Sequence, residues 1–67
     1  MAELANRVRE AREAKGWTQA QLAERIRVSR KTVNTVENGV FVPSTVVALK
    51  LAVALGTSVE ALFSLIE

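Results

Sequence analysis

The stretch Thr18–Asn38, TQAQLAERIRVSRKTVNTVEN, decides the fold. It reads as two short helices joined by a tight turn. Thr18 and Gln21 have the spacing of a capping box, in which a hydroxyl and an amide satisfy free N–H groups at a helix start. Leu22, Ala23 and Ile26 then form an inward apolar stripe. Ser29 is a favoured N-cap for a second helix running from Arg30 to Glu37 or Asn38, where Asn38-Gly39 stops it. Only Arg27 and Val28 separate Ile26 from Ser29. A connection that short makes the two helices cross steeply, with Val28 as the apolar residue that pins the turn to the core.

At 3.6 residues per turn, Arg30, Lys31, Asn34, Thr35 and Asn38 share an arc of roughly 140°. Val33 and Val36 fall on the other arc, with Ser29, Thr32 and Glu37. The outward set contains no carboxylate and mixes two long cations with amides and a hydroxyl. Arg and Lys match the guanine edge in the major groove, Asn matches adenine, and a Thr hydroxyl suits either. Arg30, Lys31, Asn34 and Thr35 are therefore candidate base-reading residues for double-stranded DNA, joined by Ser29 at the helix start. From Arg25 to Val36 the charged residues are Arg25, Arg27, Arg30 and Lys31, on a chain whose net charge is only +2. A local basic cluster on a near-balanced chain is the electrostatic footprint of a nucleic-acid binder.

The run GWTQAQLAERIRVSRKTVNTVENG, Gly16–Gly39, resembles the Cro and phage-repressor type of helix-turn-helix regulator, the XRE family. The TQ-x-x-LA opening, the VS-x-x-TV middle and the ENG ending carry the likeness. It continues through Pro43-Ser44, Ala48-Leu49-Lys50 and Leu55-Gly56 to Val59 and Leu62-Phe63. The resemblance implies an all-α, compact five-helix DNA-binding domain over residues 1–67, with the helix-turn-helix at 18–38. It implies that Gln19 donates to the DNA backbone from a helix N-terminus, where the dipole also favours phosphate. Asn38 and Gly39 stand where relatives offer a backbone amide to another phosphate. The resemblance also implies that Arg12 and Glu37 meet as a partly buried salt bridge behind the recognition helix; a lone carboxylate on the inward arc would be costly. Arg12 in relatives also approaches a phosphate. Arg27 departs from the family's usual glycine, at a cost on the order of 1 kcal/mol for a left-handed residue with a side chain. It adds a cation beside the DNA face, and Arg27 and Thr32 complete the expected phosphate set.

The remainder reads as packing around this unit. Glu3–Lys15 is expected as a first helix with Leu4, Val8 and Ala11 buried, a Glu3–Arg7 pair, and Gly16 as its left-handed end. Arg7, Arg9, Glu10, Glu13 and Lys15 read as its solvated face. Trp17 is expected to shield the corner before the next helix. Pro43-Ser44 opens a fourth helix that runs to Leu55 and ends at Gly56. Thr57 with Glu60, or Ser58, caps a fifth, carrying Val59, Leu62, Phe63 and Ile66. The fourth helix is apolar almost all round, with Val46 and Val53 seven apart on one face, and the preceding loop carries Phe41. Such a helix wants a partner. A twofold homodimer through Phe41, Val46, Val53, Phe63 and Ile66 is the expectation.

Composition bounds the function. Sixty-seven residues, 49% of them hydrophobic, make one small domain that buries about 60% of its unfolded surface. There is no Cys or His and no Tyr, which removes the usual nucleophile–base pairs and metal clusters; no catalytic residue, metal or cofactor is expected. The absence of Cys fits a reducing cytoplasm. Glu3, Arg7 and Arg9 stand where a secretory apolar segment would lie, and the apolar run Val46–Leu55 is broken by Lys50 and too short to span a bilayer. The reading is a minimal, Cro-like regulator, a repressor binding a palindromic operator. The alternative is an antitoxin-like module that also binds a protein partner, a toxin or a regulator.

Overall fold

Hydroxyl caps divide the chain into its helices. Thr18, Ser29, Ser44 and Ser58 each accept a hydrogen bond from the backbone N–H three residues on, at Gln21, Thr32, Val47 and Ala61. Each replaces a partner that the first turn of a helix lacks. The structure is a computed structural model and describes residues 4–66. The elements run β1 (Leu4–Asn6), α1 (Val8–Ala14), α2 (Gln19–Ile26), α3 (Arg30–Glu37), α4 (Thr45–Leu55), α5 (Val59–Leu62) and β2 (Phe63–Leu65). The Thr18–Gln21 capping box is complete, and before α5 it is Ser58, not Thr57, that caps.

All five expected helices are present, but the first and last are shorter than their apolar spacing implies. Leu4–Asn6 leaves the first helix to pair antiparallel with Phe63–Leu65, Leu4 opposite Leu65 and Asn6 opposite Phe63. Asn6 is the physical reason. Its Oδ1 accepts the Val8 N–H at 3.1 Å, and its Nδ2 donates to the Val36 carbonyl at 2.9 Å. The side chain thus starts α1 two residues downstream and holds the strand to the end of α3. The Arg7 N–H donates to the Leu62 carbonyl at 2.8 Å, carrying the pairing one step further. The expected Glu3–Arg7 pair involves Glu3, which lies outside the described residues.

The core gathers Val8, Leu22, Ala23, Ile26, Val33, Val36, Leu51, Ala52, Leu55, Leu62 and Phe63. α2 packs against both α3 and α4, and α1 lies across α3 and α4. Trp17 packs against this core as expected, with the Arg25 guanidinium 4.1 Å from its ring centroid. Phe63, expected at a dimer surface, is instead buried at 9% exposure. As a strand residue opposite Asn6 it turns inward, which its assignment to a fifth helix did not anticipate. Phe41, Val46, Val53 and Ile66 are exposed, as are Leu49 and Leu65.

The turn between α2 and α3 is built on Arg27, at φ +59° the one non-glycine residue with positive φ among those described. Its N–H donates to the Glu24 carbonyl and the Val28 N–H to the Ala23 carbonyl, the paired bonds of a Schellman ending. Val28 is half-buried against the core and fixes the exit. The left-handed conformation is available to glycine without steric cost. Arg27→Gly is therefore expected to stabilise the protein by about 0.5–1 kcal/mol, raising Tm by about 2–8 °C. Thermal unfolding followed by circular dichroism measures it; a lower Tm would show that the Arg27 side chain stabilises the turn by more than the backbone strain.

Candidate nucleic-acid interface

The Ser29 cap and the left-handed Arg27 set α3 across α2 with its polar arc outward. Arg30, Lys31 and Asn34 are exposed and line one shallow concavity on that arc. The other expected contacts are more constrained. Ser29 and Thr32 hydroxyls lie 2.9 Å apart and bond to each other. Thr35 is half-buried, and its hydroxyl donates to the Thr32 carbonyl at 3.0 Å. The backbone N–H groups of Asn38 and Gly39, expected to face a phosphate, donate instead to the Asn34 and Val36 carbonyls at 3.1 Å. The carbonyls at a helix C-terminus need such partners. The basic cluster also divides. Arg25 is drawn to Trp17, and with Arg27 it lines a different groove, together with Leu49, Lys50 and Val53 of α4.

Behind α3 lies a charge hub. The Glu37 side chain has no exposed surface. Arg12 Nε donates to its Oε2 at 2.7 Å and Arg12 Nη2 to its Oε1 at 3.2 Å. Arg12 Nη1 donates to the Trp17 carbonyl at 2.7 Å. All three guanidinium nitrogens are thus engaged and the side chain is only 11% exposed. Two further donors reach Oε1: Gln19 Nε2 at 3.1 Å and Arg9 Nε at 3.4 Å. Burial pushes the Glu37 carboxyl up. Hydrogen bonds from Arg12, Gln19 and Arg9, with the Arg12 charge, outweigh burial and hold it below its ordinary value of 4.5. The Glu37 hydrogen bond correspondingly raises Arg12.

The hub continues onto the outer surface as a ladder of amides. Arg9 Nη2 donates to Asn38 Oδ1 at 2.7 Å. Asn38 Nδ2 donates to Asn34 Oδ1 at 3.1 Å, and Gln19 Nε2 donates to the same oxygen at 3.2 Å. Gln19, expected to donate to a phosphate, therefore spends both amide hydrogens inside the protein. Arg9, read from the sequence as part of a solvated face, is a member of the site. Its signal was spacing: Arg9 and Arg12 are three apart and share a helix face, so a carboxylate that draws one lies within reach of the other.

Two helices crossing at a three-residue turn, the second offering cations and an amide to solvent, define a helix-turn-helix DNA-binding module. The helix-turn-helix family profile matches residues 8–62, and the chain belongs to that family, in its Cro and phage-repressor (XRE) type. It is a DNA-binding helix-turn-helix transcription regulator. It is 40% identical over 62 residues to YgzD, an uncharacterised HTH-type transcriptional regulator of Bacillus subtilis, covering 92% of this chain and 94% of that one. An uncharacterised HTH-type regulator of Methanothermobacter thermautotrophicus is 43% identical over 61 residues, covering 90% and 88%. Among solved structures, the clp gene regulator ClgR of Corynebacterium glutamicum superposes with a TM-score of 0.73 at 36% identity over 78% of this chain. The hypothetical transcription factor NHTF from Neisseria gives 0.76 at 31% identity over 81%. This chain spans 55% and 61% of the lengths of those two proteins. No helix among the described residues is long and apolar enough to cross a membrane.

The hub yields a pH prediction. Because the Glu37 pKa is depressed on folding, its contribution is complete above the ordinary value of 4.5 and is lost as pH falls through the lower folded value. The urea midpoint is expected to drop below pH 4.5 in the wild type and to drop less in Glu37→Gln. Arg12→Met, which leaves the buried carboxylate with weaker partners, should cost about 3 kcal/mol at neutral pH. Parallel pH profiles for wild type and Glu37→Gln would remove Glu37 as the source.

Proposed function

We propose that this regulator binds a specific, roughly palindromic operator as a twofold homodimer, with α3 in the major groove, and that it represses. The observation that carries the reading is the concavity of Arg30, Lys31 and Asn34 on α3, in which only the Asn34 oxygen is engaged by the hub and its ladder. Side-chain donors on a rigid helix of this size are what base-edge readout requires. One module so small buries about 600–1,000 Å² on DNA. A second copy supplies the remainder, and two recognition helices about 34 Å apart fit successive major grooves. The apolar residues left in solvent favour the dimer: Val46, Leu49 and Val53 repeat along one side of α4, and Val53 is 83% exposed. Phe41 and Ile66 extend the candidate interface. Repression follows the simplest mechanism, occupancy of a site that polymerase needs.

Selection of bound duplexes from a random pool tests this directly. Two inverted half-sites about 10 base pairs apart, centre to centre, are expected. Arg30→Ala should lose about 1–3 kcal/mol of preference at one base position while binding to random DNA changes little. Equal loss on operator and random DNA would end the base-reading role of Arg30. A wild type that sediments as a monomer at tens of micromolar and footprints a single half-site would end the dimer.

A further inference from the structure

We infer that Asn34 is locked as a hydrogen-bond donor and reads guanine rather than the adenine that an asparagine ordinarily selects; the inference rests on the proposed insertion of α3 into the major groove. The bidentate pairing of asparagine with adenine needs the side-chain oxygen to accept from the N6 amine while the nitrogen donates to N7. Here that oxygen is taken. A carbonyl oxygen has two lone pairs, and Asn34 Oδ1 receives Gln19 Nε2 at 3.2 Å and Asn38 Nδ2 at 3.1 Å.

The orientation of these amides follows from chemistry at both ends of the ladder. Arg9 is donor-only, so the atom of Asn38 at 2.7 Å from it is the oxygen, and the Asn38 amide nitrogen is left facing Asn34. The ionised Glu37 is acceptor-only, so the atom of Gln19 at 3.1 Å from it is the nitrogen, whose second hydrogen meets Asn34. A guanidinium and a carboxylate thus fix three amides between them, and both orient Asn34 the same way: Oδ1 faces Gln19 and Asn38, which leaves Nδ2 as the group to offer a base. Arg30, Lys31 and Asn34 line one concavity, and with the Asn34 oxygen engaged their side chains have only donors left to offer there. Guanine offers two adjacent acceptors there, N7 and O6, whereas adenine sets an N6 amine against a surface with no acceptor to receive it. Arg9 and Gln19, neither of which need touch a base, become positioning residues for specificity.

The test is selection from a random duplex pool with wild type, Asn34→Ala, Asn38→Ala and the double variant Gln19→Met/Asn38→Ala. The Asn34-dependent base pair is the one whose preference disappears in Asn34→Ala. In the wild type that pair is expected to be G·C, with substitution by A·T weakening binding about tenfold. Asn38→Ala returns one lone pair to Asn34 Oδ1 and the double variant returns both, so the preference at that pair alone should move toward A·T. An A·T preference in the wild type overturns the inference whatever the variants do. So does an unchanged G·C preference in variants that still select an operator, or an Asn34→Ala selection identical to that of the wild type at every position. A wild type that selects no sequence at all would instead defeat the DNA reading beneath it.

Discussion

The structure depends on one buried carboxylate. Glu37 sits at the end of α3 with its side chain shut off from solvent, and an ionised carboxylate there is costly unless charged and polar donors surround it. The donors come from other elements: Arg9 and Arg12 from α1, Gln19 from the first turn of α2. Satisfying one charge therefore fixes the relation of three helices. A buried ion pair is weak evidence for net stability, but it is well suited to specifying a single arrangement. An apolar contact tolerates small slides, whereas a bidentate guanidinium does not.

The apolar and polar parts of the molecule thus have separate tasks. Leu22, Ile26, Val33, Val36 and Leu51 hold the helices together without strong directionality. The hub and its amide ladder then set the direction in which the exposed side of α3 faces. Asn6 adds to this from the opposite flank, tying β1 to the Val36 carbonyl one residue before Glu37. The proposed base-reading surface joins the exposed Arg30 and Lys31 to Asn34, whose oxygen the ladder holds.

Much of this was legible in the chain. Thr18 with Gln21, Ser29, Ser44, and the glycines at 16 and 56 mark helix ends through local chemistry, and local chemistry is what a linear sequence displays. Arg27 was legible as a strained turn residue for the same reason. What failed was non-local. Leu4 fits an i, i+4 apolar stripe with Val8, yet the same residue also fits a strand, and the choice was made by Asn6 and by pairing with residues some sixty positions away. Phe63 followed that error, since a helix and a strand aim it differently. Arg9 looked solvated because its neighbours on α1 are charged, while its partners Glu37 and Asn38 lie far along the chain. The bonds from Gln19 to Asn34 and Glu37 likewise join two helices and emerge only when α2 and α3 are assembled.

The pairing of Leu4 with Leu65 makes the described chain nearly a closed ring. Its helices can form and dock through contacts close in sequence, but this pair requires the whole loop to close, which places it among the slower contacts to be made. The geometry also has a mechanical side. Force applied to the two ends would load the ribbon one rung at a time, beginning at its open mouth, and the helical body would feel the load only after the ribbon had peeled apart.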